Sequence, residues 1–514
     1  MPEVLLIYPP VAKPAEPPAG LAQLKKALQS FQISCTVIDA NVHGQLYLLR
    51  TAQRAEQPRG RMALRNRDKN LRDIRSLRAY RSFDHYKRCV LELRALLAEA
   101  AQPNAAISFT DFKDKEMLPV RSCDLVRAAA EPERNPFYTY FLSELVPRID
   151  ALSPQVIGLS LIYLSQALTT FALIGLLRRK FPNTKLIVGG GLVTSWMSQP
   201  RWSNPFVDLI DAMIPGRGEV TLLDSFGISS DRAIHFAPDY DDVDWESYFS
   251  PLRVLPYSAS HGCYWRKCTF CPECSEGNRY DPAPHEQVFA DLSALSSHQP
   301  GLIHFLDNAL SPALLRKMAA RRLPAPWYGY ARFTDILLDV RFCQSLRESG
   351  CVMLQLGLES GSAEVLEKMR KGIALDRVRI ILENLKSAGI SAYIYLLFGT
   401  PYETLSHARQ TLQFIAAHAE TIDYLNPALF NMPVFSQTAE EQPTRSFYEG
   451  DLSLYHDFDH PLGWARSETR RFLQQEFQSH PEIRKILLRT PPSFTSNHAP
   501  FFTPALKKIC CHSL

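Results

Sequence analysis

The chain has 514 residues, a length that predicts two to four domains, and 46% of them are hydrophobic while 21% are charged. This composition excludes a collagen-like or wholly disordered chain. The formal net charge of +4, from 57 basic and 53 acidic residues, gives no argument by itself for a nucleic-acid or membrane partner.

The first 227 residues predict an α/β domain of the doubly wound, Rossmann-like kind. Short apolar runs alternate with helical patterns, and glycines follow two of the runs. The predicted strands are 4–8, 35–39, 156–161, 185–188 and a short one within AMIPGRGE at 212–219, with helices at about 21–31 and 167–181.

The stretch 151–177 has no charged residue and is long enough to raise a membrane helix. Polar residues interrupt it, and its pattern changes from a β-type run to a helical one. We therefore predict a buried strand followed by a helix, and no membrane span.

A basic stretch at about 46–146 interrupts the domain, with arginines and lysines far outnumbering acids in its first half. Such a stripe can follow phosphates, but aromatic residues are sparse within it. The pattern favours a solvated helical insertion over a nucleic-acid surface.

An acidic run at 228–250 predicts a linker to a second α/β domain at 251–435. Six βα units in one direction predict a curved, barrel-like parallel sheet with its chemistry at the carboxyl ends of the strands. The predicted strands are 253–260, 302–307, 327–332, 352–359, 391–399 and 422–432. Residues 436–514 predict a mostly helical C-terminal segment.

Eleven cysteines occur in the chain, and four of them lie between positions 263 and 274. The N-terminus MPEVLLIYPP lacks the pattern of a secretory signal, so we expect a cytoplasmic protein with reduced thiols. Clustered cysteines in a reducing compartment indicate a metal site.

Cys263, Cys268 and Cys271 follow the first strand of the second domain with the spacing C-x4-C-x2-C. An iron–sulfur cluster held by three cysteines leaves one iron open, whereas structural zinc takes four closed ligands. Cys274 offers a fourth ligand, so the spacing leaves zinc or a closed electron-transfer cluster as alternatives.

This strand and cysteine loop, with Phe270 just before the third cysteine and six βα units in the domain, resemble the radical S-adenosylmethionine (SAM) superfamily. Three further stretches match its pattern, namely LDNA at 306–309, LGLESGSAEVLEKMRKG at 356–372 and LFGTPYET at 397–404. The commonest spacing in the superfamily is C-x3-C-x2-C. The extra residue between Cys263 and Cys268 keeps Cys274 open as a substitute for Cys263.

The resemblance implies a [4Fe–4S] cluster on the three cysteines, SAM bound to its open iron, and a 5′-deoxyadenosyl radical that removes hydrogen from substrate. It also implies a SAM site formed by Phe270, Asp307, Arg332, Glu359, Ser360 and Gly399. On the residues alone, Glu359 is as readily a capping or salt-bridged carboxylate, and Arg332 a packing residue. No catalytic residue is identified.

The N-terminal series of strands and glycines is similar to the cobalamin-binding domain that precedes the radical SAM domain in a large subfamily. The resemblance implies cobalamin contacts from Pro18, Gly20, Ser160, Tyr163, Gly189, Gly190, Gly191, Gly218 and Glu219. The loop PPVAKPAEPPAG after the first strand has no histidine to ligate cobalt. His43 lies after the second strand, and we treat it as coincidence; a sheet domain without cobalamin is the alternative.

The leading hypothesis is a cobalamin-dependent radical SAM methyltransferase acting at an unactivated carbon of a small-molecule or peptide substrate, with flavodoxin or ferredoxin as electron donor. A second hypothesis keeps the cofactors but ends in cyclisation or rearrangement. A third is a metal-stabilised module that binds nucleic acid. No role is assigned to Cys510 and Cys511, and we interpret His498 as structural.

Overall fold

The computed structural model describes residues 3–53, 58–199, 202–228, 235–436, 439, 443–447, 449–492 and 497–506. These residues form two compact units. Unit 1 holds the described residues up to Arg253 together with 449–454 and Pro492, and unit 2 holds the others.

Unit 1 is built on a five-stranded parallel sheet with the order β2-β1-β5-β6-β7. In chain order the strands of unit 1 are β1 (Val4–Ile7), β2 (Cys35–Ile38), β3 (Ala105–Ile107), β4 (Phe112–Asp114), β5 (Val156–Ser160), β6 (Lys185–Gly189) and β7 (Ala212–Ile214). Strands β3 and β4 form a separate antiparallel pair outside this sheet. The strand order reverses between β1 and β5, and ligands of such sheets bind at the carboxyl ends of strands flanking this switch point. The predicted doubly wound fold is confirmed.

Helices flank this sheet and also form most of the insertion. They are α1 (Ala19–Ser30), α2 (Ala40–Thr51), α3 (Pro58–Ile74), α4 (Leu77–Tyr80), α5 (Phe83–Ala100), α6 (Ser122–Ala130), α7 (Tyr138–Tyr140), α8 (Val146–Leu152), α9 (Leu164–Lys180), α10 (Gly191–Met197) and α11 (Gly218–Asp224). Short 3-10 turns lie at Pro132–Arg134 and Trp245–Ser247, and a π-helical turn at Phe141–Leu145.

The uncharged stretch at 151–177 becomes β5 and most of α9. The strand is wholly buried, and the helix buries nearly all of its side chains up to Leu177. Across the described ranges, no helix combines the length and the apolar character needed to cross a bilayer.

The acidic run predicted as a linker packs on unit 1 over its described part, 235–250. Asp239 and Asp242 both accept hydrogen bonds from Lys25 of α1, at 3.0 and 2.6 Å. Tyr248 donates to Asp39, and its ring is buried. These contacts fix Asp239, Asp242 and Tyr248 of the run on unit 1.

Unit 2 contains a six-stranded parallel sheet with the order β15-β14-β13-β12-β11-β8, as predicted for a partial (β/α)6 barrel. In chain order the strands of unit 2, including those outside this sheet, are β8 (Val254–Tyr257), β9 (Ser260–His261), β10 (Asp281–Pro282), β11 (Leu302–Phe305), β12 (Trp327–Ala331), β13 (Cys351–Glu359), β14 (Ser391–Phe398), β15 (Tyr424–Leu429), β16 (Met432–Pro433), β17 (Thr444–Ser446) and β18 (Tyr455–Phe458). Strands β8 and β11 to β14 are almost entirely buried, as expected for parallel strands covered on both faces, whereas most of the edge strand β15 is partly exposed.

The helices of unit 2 follow the strands in the expected alternation. They are α12 (Pro272–Ser275), α13 (His285–Leu295), α14 (Pro312–Ala319), α15 (Val340–Glu348), α16 (Ala363–Lys368), α17 (Leu375–Ala388), α18 (Leu405–Ala417), α19 (Arg466–Phe472) and α20 (Pro481–Arg489). Short 3-10 turns lie at Ser296–His298, Asp335–Leu338, Ala419–Thr421 and Ala499–Phe502, and a π-helical turn at Leu473–Phe477. The C-terminal segment is helical as predicted, but it also supplies β17 and β18 to a small antiparallel sheet with β16 that the sequence did not reveal.

Candidate cofactor sites in the two units

The cysteine loop leaves the carboxyl end of β8 and is closed at its base by the antiparallel pair β9 and β10. Gly262, directly after β9, has a φ of +70°. A Cβ at this position would lie 2.5 Å from the backbone oxygen of Arg279. Only glycine therefore allows the two ends of the loop to approach this closely.

The three predicted ligands lie along this loop with different exposures. Cys268 is buried, whereas Cys263 and Cys271 are partly exposed. Cys271 occupies the N-cap position of the short helix α12, and its thiol contacts that of Cys274 one turn later. This contact raises the pKa of Cys271 and lowers that of Cys274. Cys274 therefore lies beside a predicted ligand, as its spacing anticipates.

Two cations face the loop. A guanidinium nitrogen of Arg332 lies 3.9 Å from the Cys268 sulfur, and the guanidinium covers the Trp265 ring at 4.3 Å. The Lys371 ammonium lies 5.6 Å from the centre of the Phe270 ring. Burial raises the pKa of Cys268, and the charges of Lys371 and Arg332 oppose this rise. Two cations beside the thiols suit an anionic thiolate-bound cluster.

Glu359 ends β13 with a φ of +69°, an uncommon conformation for a residue other than glycine. The register between β13 and β14 shifts at this point. Lys371 donates to the Glu359 carboxylate at 2.8 Å. The sequence left a salt-bridged carboxylate as one reading of Glu359, and the structure contains that ion pair at the carboxyl end of the barrel.

Asp307 turns toward the start of the cysteine loop. Its carboxylate accepts from the Ala259 amide at 3.0 Å and from the Ser260 hydroxyl at 2.5 Å. Burial raises the pKa of Asp307 to about 6. In this structure, the carboxylate ties the end of β11 to the first residues of the loop.

Ser360 and Gly399 occupy the ends of β13 and β14. The Ser360 hydroxyl lies 3.2 Å from that of Thr411 in α18 and accepts from the Ser362 amide. The Gly399 amide donates to the buried carboxylate of Glu403 at 2.5 Å. The six predicted SAM residues thus lie around the carboxyl end of the barrel. Four of their side chains have partners within the protein, namely those of Asp307, Arg332, Glu359 and Ser360.

Sequence reasoning missed Lys371 and Glu403. Each lies within a matched motif, in LEKMRKG and GTPYET, but a single lysine or glutamate after a strand has no distinguishing spacing. The partner of Glu403 is also distant, because the Trp464 indole donates to its carboxylate at 3.1 Å across 61 residues. Burial raises the pKa of Glu403 to about 7.

In unit 1, the nine predicted cobalamin residues all follow sheet strands at their carboxyl ends. Pro18 precedes α1 and Gly20 lies in its first turn, while Gly218 and Glu219 begin α11. The others end or follow β5 and β6, namely Ser160, Tyr163, Gly189, Gly190 and Gly191.

At the carboxyl ends of these strands, some backbone positions are closely packed and others have open space around them. At Gly190, with a φ of +114°, a Cβ would lie 2.5 Å from the Leu161 oxygen, so the loops after β5 and β6 touch. Gly20 has no neighbouring atom within 4 Å of its Cβ direction. The Tyr163 side chain is 47% exposed beside the switch point. An open edge with an exposed aromatic ring fits a large planar macrocycle.

The loop after β1 is held from both sides. Ala12 donates to Asn41 at 2.8 Å, and Gln166 at the start of α9 donates to the Pro9 oxygen at 2.7 Å. Glu219 is buried, 3.8 Å from Arg217. The fixed loop gives the switch point a defined shape.

A cavity of about 300 Å³ lies beside the end of β2. Its walls include Lys25, Asp39, His43 and Arg148. Burial raises the pKa of Asp39 to about 6 and lowers that of His43. His43 therefore lines a pocket on the β2 side of the switch point.

The remaining residues singled out in the sequence are His498, Cys510 and Cys511. His498 is buried and stacks on the Tyr393 ring at 5.1 Å, which agrees with a structural role. Cys510 and Cys511 lie outside the described residues.

Comparison with known proteins places the cysteine loop in a family. Residues 257–415 match the model of the radical SAM superfamily. The anaerobic magnesium-protoporphyrin IX monomethyl ester cyclase of Rubrivivax gelatinosus is 24% identical over 216 residues, 40% of this chain and 38% of the cyclase. An uncharacterized methyltransferase of Pyrococcus horikoshii is 27% identical over 199 residues, 36% of this chain and 42% of its own length. The chain therefore spans about two fifths of these curated relatives.

Solved structures resemble the chain over a larger share. The cobalamin-dependent SAM radical enzyme OxsB, with aqua-cobalamin bound, has a TM-score of 0.53 at 14% identity, covering 86% of this chain and 55% of OxsB. The radical SAM methyltransferase TsrM from Kitasatospora setae, with cobalamin and a [4Fe–4S] cluster bound, has a TM-score of 0.51 at 15% identity, covering 97% of this chain and 92% of TsrM. At these identities the likeness shows the fold. Residues 257–415 therefore form a radical SAM domain, and the chain resembles these cobalamin-dependent radical SAM enzymes in fold.

Proposed function

We propose that the chain is a cobalamin-dependent radical SAM methyltransferase that acts at an unactivated carbon. The observation that carries the proposal is the presence of two candidate cofactor sites in one chain, each at the carboxyl ends of parallel strands. A cysteine loop flanked by Arg332 and Lys371 lies at the carboxyl end of a partial barrel, and an open, glycine-lined edge lies at the switch point of a doubly wound sheet.

Cys263, Cys268 and Cys271 would hold the [4Fe–4S] cluster, which when bound supplies the electron that cleaves SAM to a hydrogen-abstracting radical. Arg332 and Lys371 place positive charge beside the thiols. Phe270, Glu359 and the backbone at Gly399 would orient SAM at the strand ends. Asp307 would act through the loop, because its carboxylate fixes Ala259 and Ser260.

Cobalamin would lie at the carboxyl edge of unit 1 and, when bound, would carry the methyl group between SAM and substrate. Its residues are those predicted at the ends of β1, β5, β6 and β7, with Tyr163 exposed toward solvent. Gly20 leaves space that a larger side chain would fill. The loop after β1 supplies no histidine to cobalt.

Anaerobic reconstitution with iron and sulfide tests the cluster. We expect cluster absorbance and about four irons per chain in the wild type, both lost when Cys263, Cys268 and Cys271 are replaced together by Ala. Cys343→Ala, which removes a buried thiol elsewhere in unit 2, should keep the cluster. Unchanged iron content in the triple variant would refute the assignment.

The cobalamin site has its own test, the visible spectrum of protein purified with cobalamin present. Gly20→Phe should fold, since nothing surrounds the position, and should lose bound cobalamin. Val207→Phe adds the same ring at a residue 69% exposed before β7, at the opposite edge of the sheet, and should retain it. If both variants retain the same amount of bound cobalamin, cobalamin does not bind at this site.

A second candidate outcome is a cyclisation or rearrangement with the same cofactors. The 24% identity to a cyclase supports this second candidate. Product mass separates the two, because only methylation adds a CH2 equivalent to the substrate.

The proposal includes a reductant such as flavodoxin or ferredoxin, a small-molecule or peptide substrate, and a reducing compartment such as the cytoplasm. None of the cysteines in the described ranges is in a disulfide. Reduction by flavodoxin in place of dithionite, with formation of 5′-deoxyadenosine as the readout, tests the donor.

A further inference from the structure

The basic insertion of unit 1 contains a buried polar seam between α3 and α5. Asn66, Asn70 and Asp73 recur at helical spacing on α3, and His85, Cys89 and Glu92 recur with the same spacing on α5. Both asparagines donate to Glu92, at 3.0 and 2.7 Å. At the other end of the seam, a ring nitrogen of His85 lies 2.9 Å from the Asp73 carboxylate. The two helices therefore run antiparallel with these faces together.

At that end, three ligand-type side chains converge. One atom each from Asp73, His85 and Cys89 lie within 4.8 Å of one another. Cys89 is fully buried and Asp73 is 5% exposed, whereas the His85 side chain is 20% exposed. The cluster is thus closed on the protein side and reaches solvent past His85.

The donor set is one carboxylate oxygen, one imidazole nitrogen and one sulfur. Ca²⁺ and Mg²⁺ prefer oxygen ligands, whereas a mixed N, O and S set suits zinc-class transition metals. A tetrahedral ion with bonds of about 2.0–2.3 Å holds its ligand atoms about 3.3–3.8 Å apart. This spacing lies inside the 4.8 Å within which the three atoms already converge.

We propose that Asp73, His85 and Cys89 bind a divalent zinc-class metal ion that ties α3 to α5. His85 and Cys89 lie one turn apart on α5, so one helix presents two ligands and α3 presents the third. The thiol proton of Cys89 passes to solvent as the sulfur–metal bond forms. A water molecule completes the coordination on the exposed side of His85. Three protein ligands and one water leave one position open to exchange, unlike the four closed ligands of a structural zinc site. The site belongs to unit 1, whereas the cysteine loop belongs to unit 2.

The test uses full-length protein without an affinity tag, in a variant with Cys263, Cys268, Cys271 and Cys274 all replaced by Ala. This background removes the loop thiols as zinc ligands, so the result does not depend on the proposed cluster. We expect about one equivalent of zinc per chain, lost on further Cys89→Ala and kept on Cys35→Ala, which removes another buried thiol of unit 1.

Cobalt substitution gives a signature that a hydrogen bond between His85 and Asp73 cannot produce. Co²⁺ added to zinc-free background protein should give a thiolate-to-cobalt charge-transfer band, absent in the Cys89→Ala variant and present in the Cys35→Ala variant. His85→Gln, at a partly exposed ligand, should fold with unchanged circular dichroism and weaken zinc binding about tenfold or more. A missing thiolate band, or equal zinc affinity in the His85→Gln variant, would leave only a His85–Asp73 hydrogen bond and overturn the proposal.

Discussion

The ammonium group of Lys371 lies 2.8 Å from a carboxylate oxygen of Glu359, and both side chains are largely buried, at 8% and 13% exposed. The backbone oxygen of Lys371 also accepts from Arg332, and its ammonium faces the Phe270 ring. Lys371, which lies shortly after α16, thus contacts three of the predicted SAM-site residues, namely Glu359, Arg332 and Phe270. Part of the charge around the cysteine loop is therefore supplied by Lys371, about 100 residues farther along the chain.

This ion pair leads to a prediction for Glu359. In Glu359→Gln, Lys371 keeps its charge in a buried place without its carboxylate, so the charge balance of the proposed SAM site changes. We expect SAM affinity to fall about tenfold or more, the scale of one charge-assisted hydrogen bond. Equilibrium binding of SAM to the reconstituted protein, together with uncoupled formation of 5′-deoxyadenosine under dithionite, measures the loss.

Glu364→Gln is the matched control for this change. Glu364 also pairs with a lysine, Lys368, but its side chain is 57% exposed. Exposed pairs contribute little, so SAM affinity should stay unchanged. If Glu359→Gln loses stability while its SAM affinity equals that of the control, Glu359 is structural.

Gly262 and Gly277 form a natural pair for testing closure of the cysteine loop. Their φ values are +70° and +71°, so alanine meets the same backbone strain at both. Only at position 262 would the new Cβ strike backbone, the Arg279 oxygen at 2.5 Å; at position 277 nothing lies within 4 Å. We expect Gly262→Ala to reduce iron per chain after reconstitution and Gly277→Ala to retain it. Equal iron contents would show that closure of the loop base does not matter for the cluster.

Hydrophobic runs allowed the strands of both sheets to be predicted from the sequence. Buried parallel strands are nearly continuous apolar segments, and stretches such as SAYIYLLFG at 391–399 match β14 to within one residue. Strands β17 and β18 of the small antiparallel sheet were missed because their residues, TRS and YHDF, have no apolar run.

The candidate site was predictable where chemistry sits in a spaced motif and not where it depends on long-range contacts. Cys263, Cys268 and Cys271 were found from spacing. Lys371 and the Glu403–Trp464 pair depend on which segments meet in the folded barrel, and no local pattern encodes that meeting.

Inside the barrel, the Tyr395 hydroxyl accepts two hydrogen bonds, from Tyr330 and from the Gln355 amide, both at 3.0 Å. Gln355 is fully buried, so Tyr395→Phe removes an acceptor where water cannot replace it. Tyr330→Phe leaves the Gln355 bond intact. We expect free-energy losses of about 2 kcal/mol for Tyr395→Phe and about 1 kcal/mol for Tyr330→Phe, measured by urea unfolding. A larger loss for Tyr330→Phe would contradict the geometry.

Glu403 gives a prediction for pH. Its carboxylate is fully buried, and burial raises its pKa from 4.5 to about 7. Between these values the folded chain holds the proton more tightly than the unfolded chain, so this group's contribution to stability falls as pH rises from about 4.5 to about 7 and is then constant. The total fall is about 3 kcal/mol, from a difference of about 2.5 pKa units.

Glu403→Gln keeps an oxygen acceptor for Gly399 and Trp464 but cannot ionise. The variant should therefore gain stability relative to wild type as pH rises from 5 to 8, by about 2 to 3 kcal/mol. Denaturant unfolding, followed by tryptophan fluorescence at both pH values, measures the difference in unfolding free energy between variant and wild type. Asp39 and Asp307 also have raised pKa values, but their contributions cancel in this difference because both proteins contain them.

Glu476→Gln is a control in which the pKa of the replaced carboxyl group is shifted in the opposite direction. The salt-bridged Arg409 holds the pKa of Glu476 below its usual value, so wild type should lose this pair's small contribution only as pH falls toward the carboxylate range. The relative stability of this variant should therefore be the same at pH 5 and pH 8. A pH-independent difference for Glu403→Gln as well would mean that Glu403 is ionised throughout this range in the folded protein, with the amide of Gly399 and the indole of Trp464 sufficient to hold its charge.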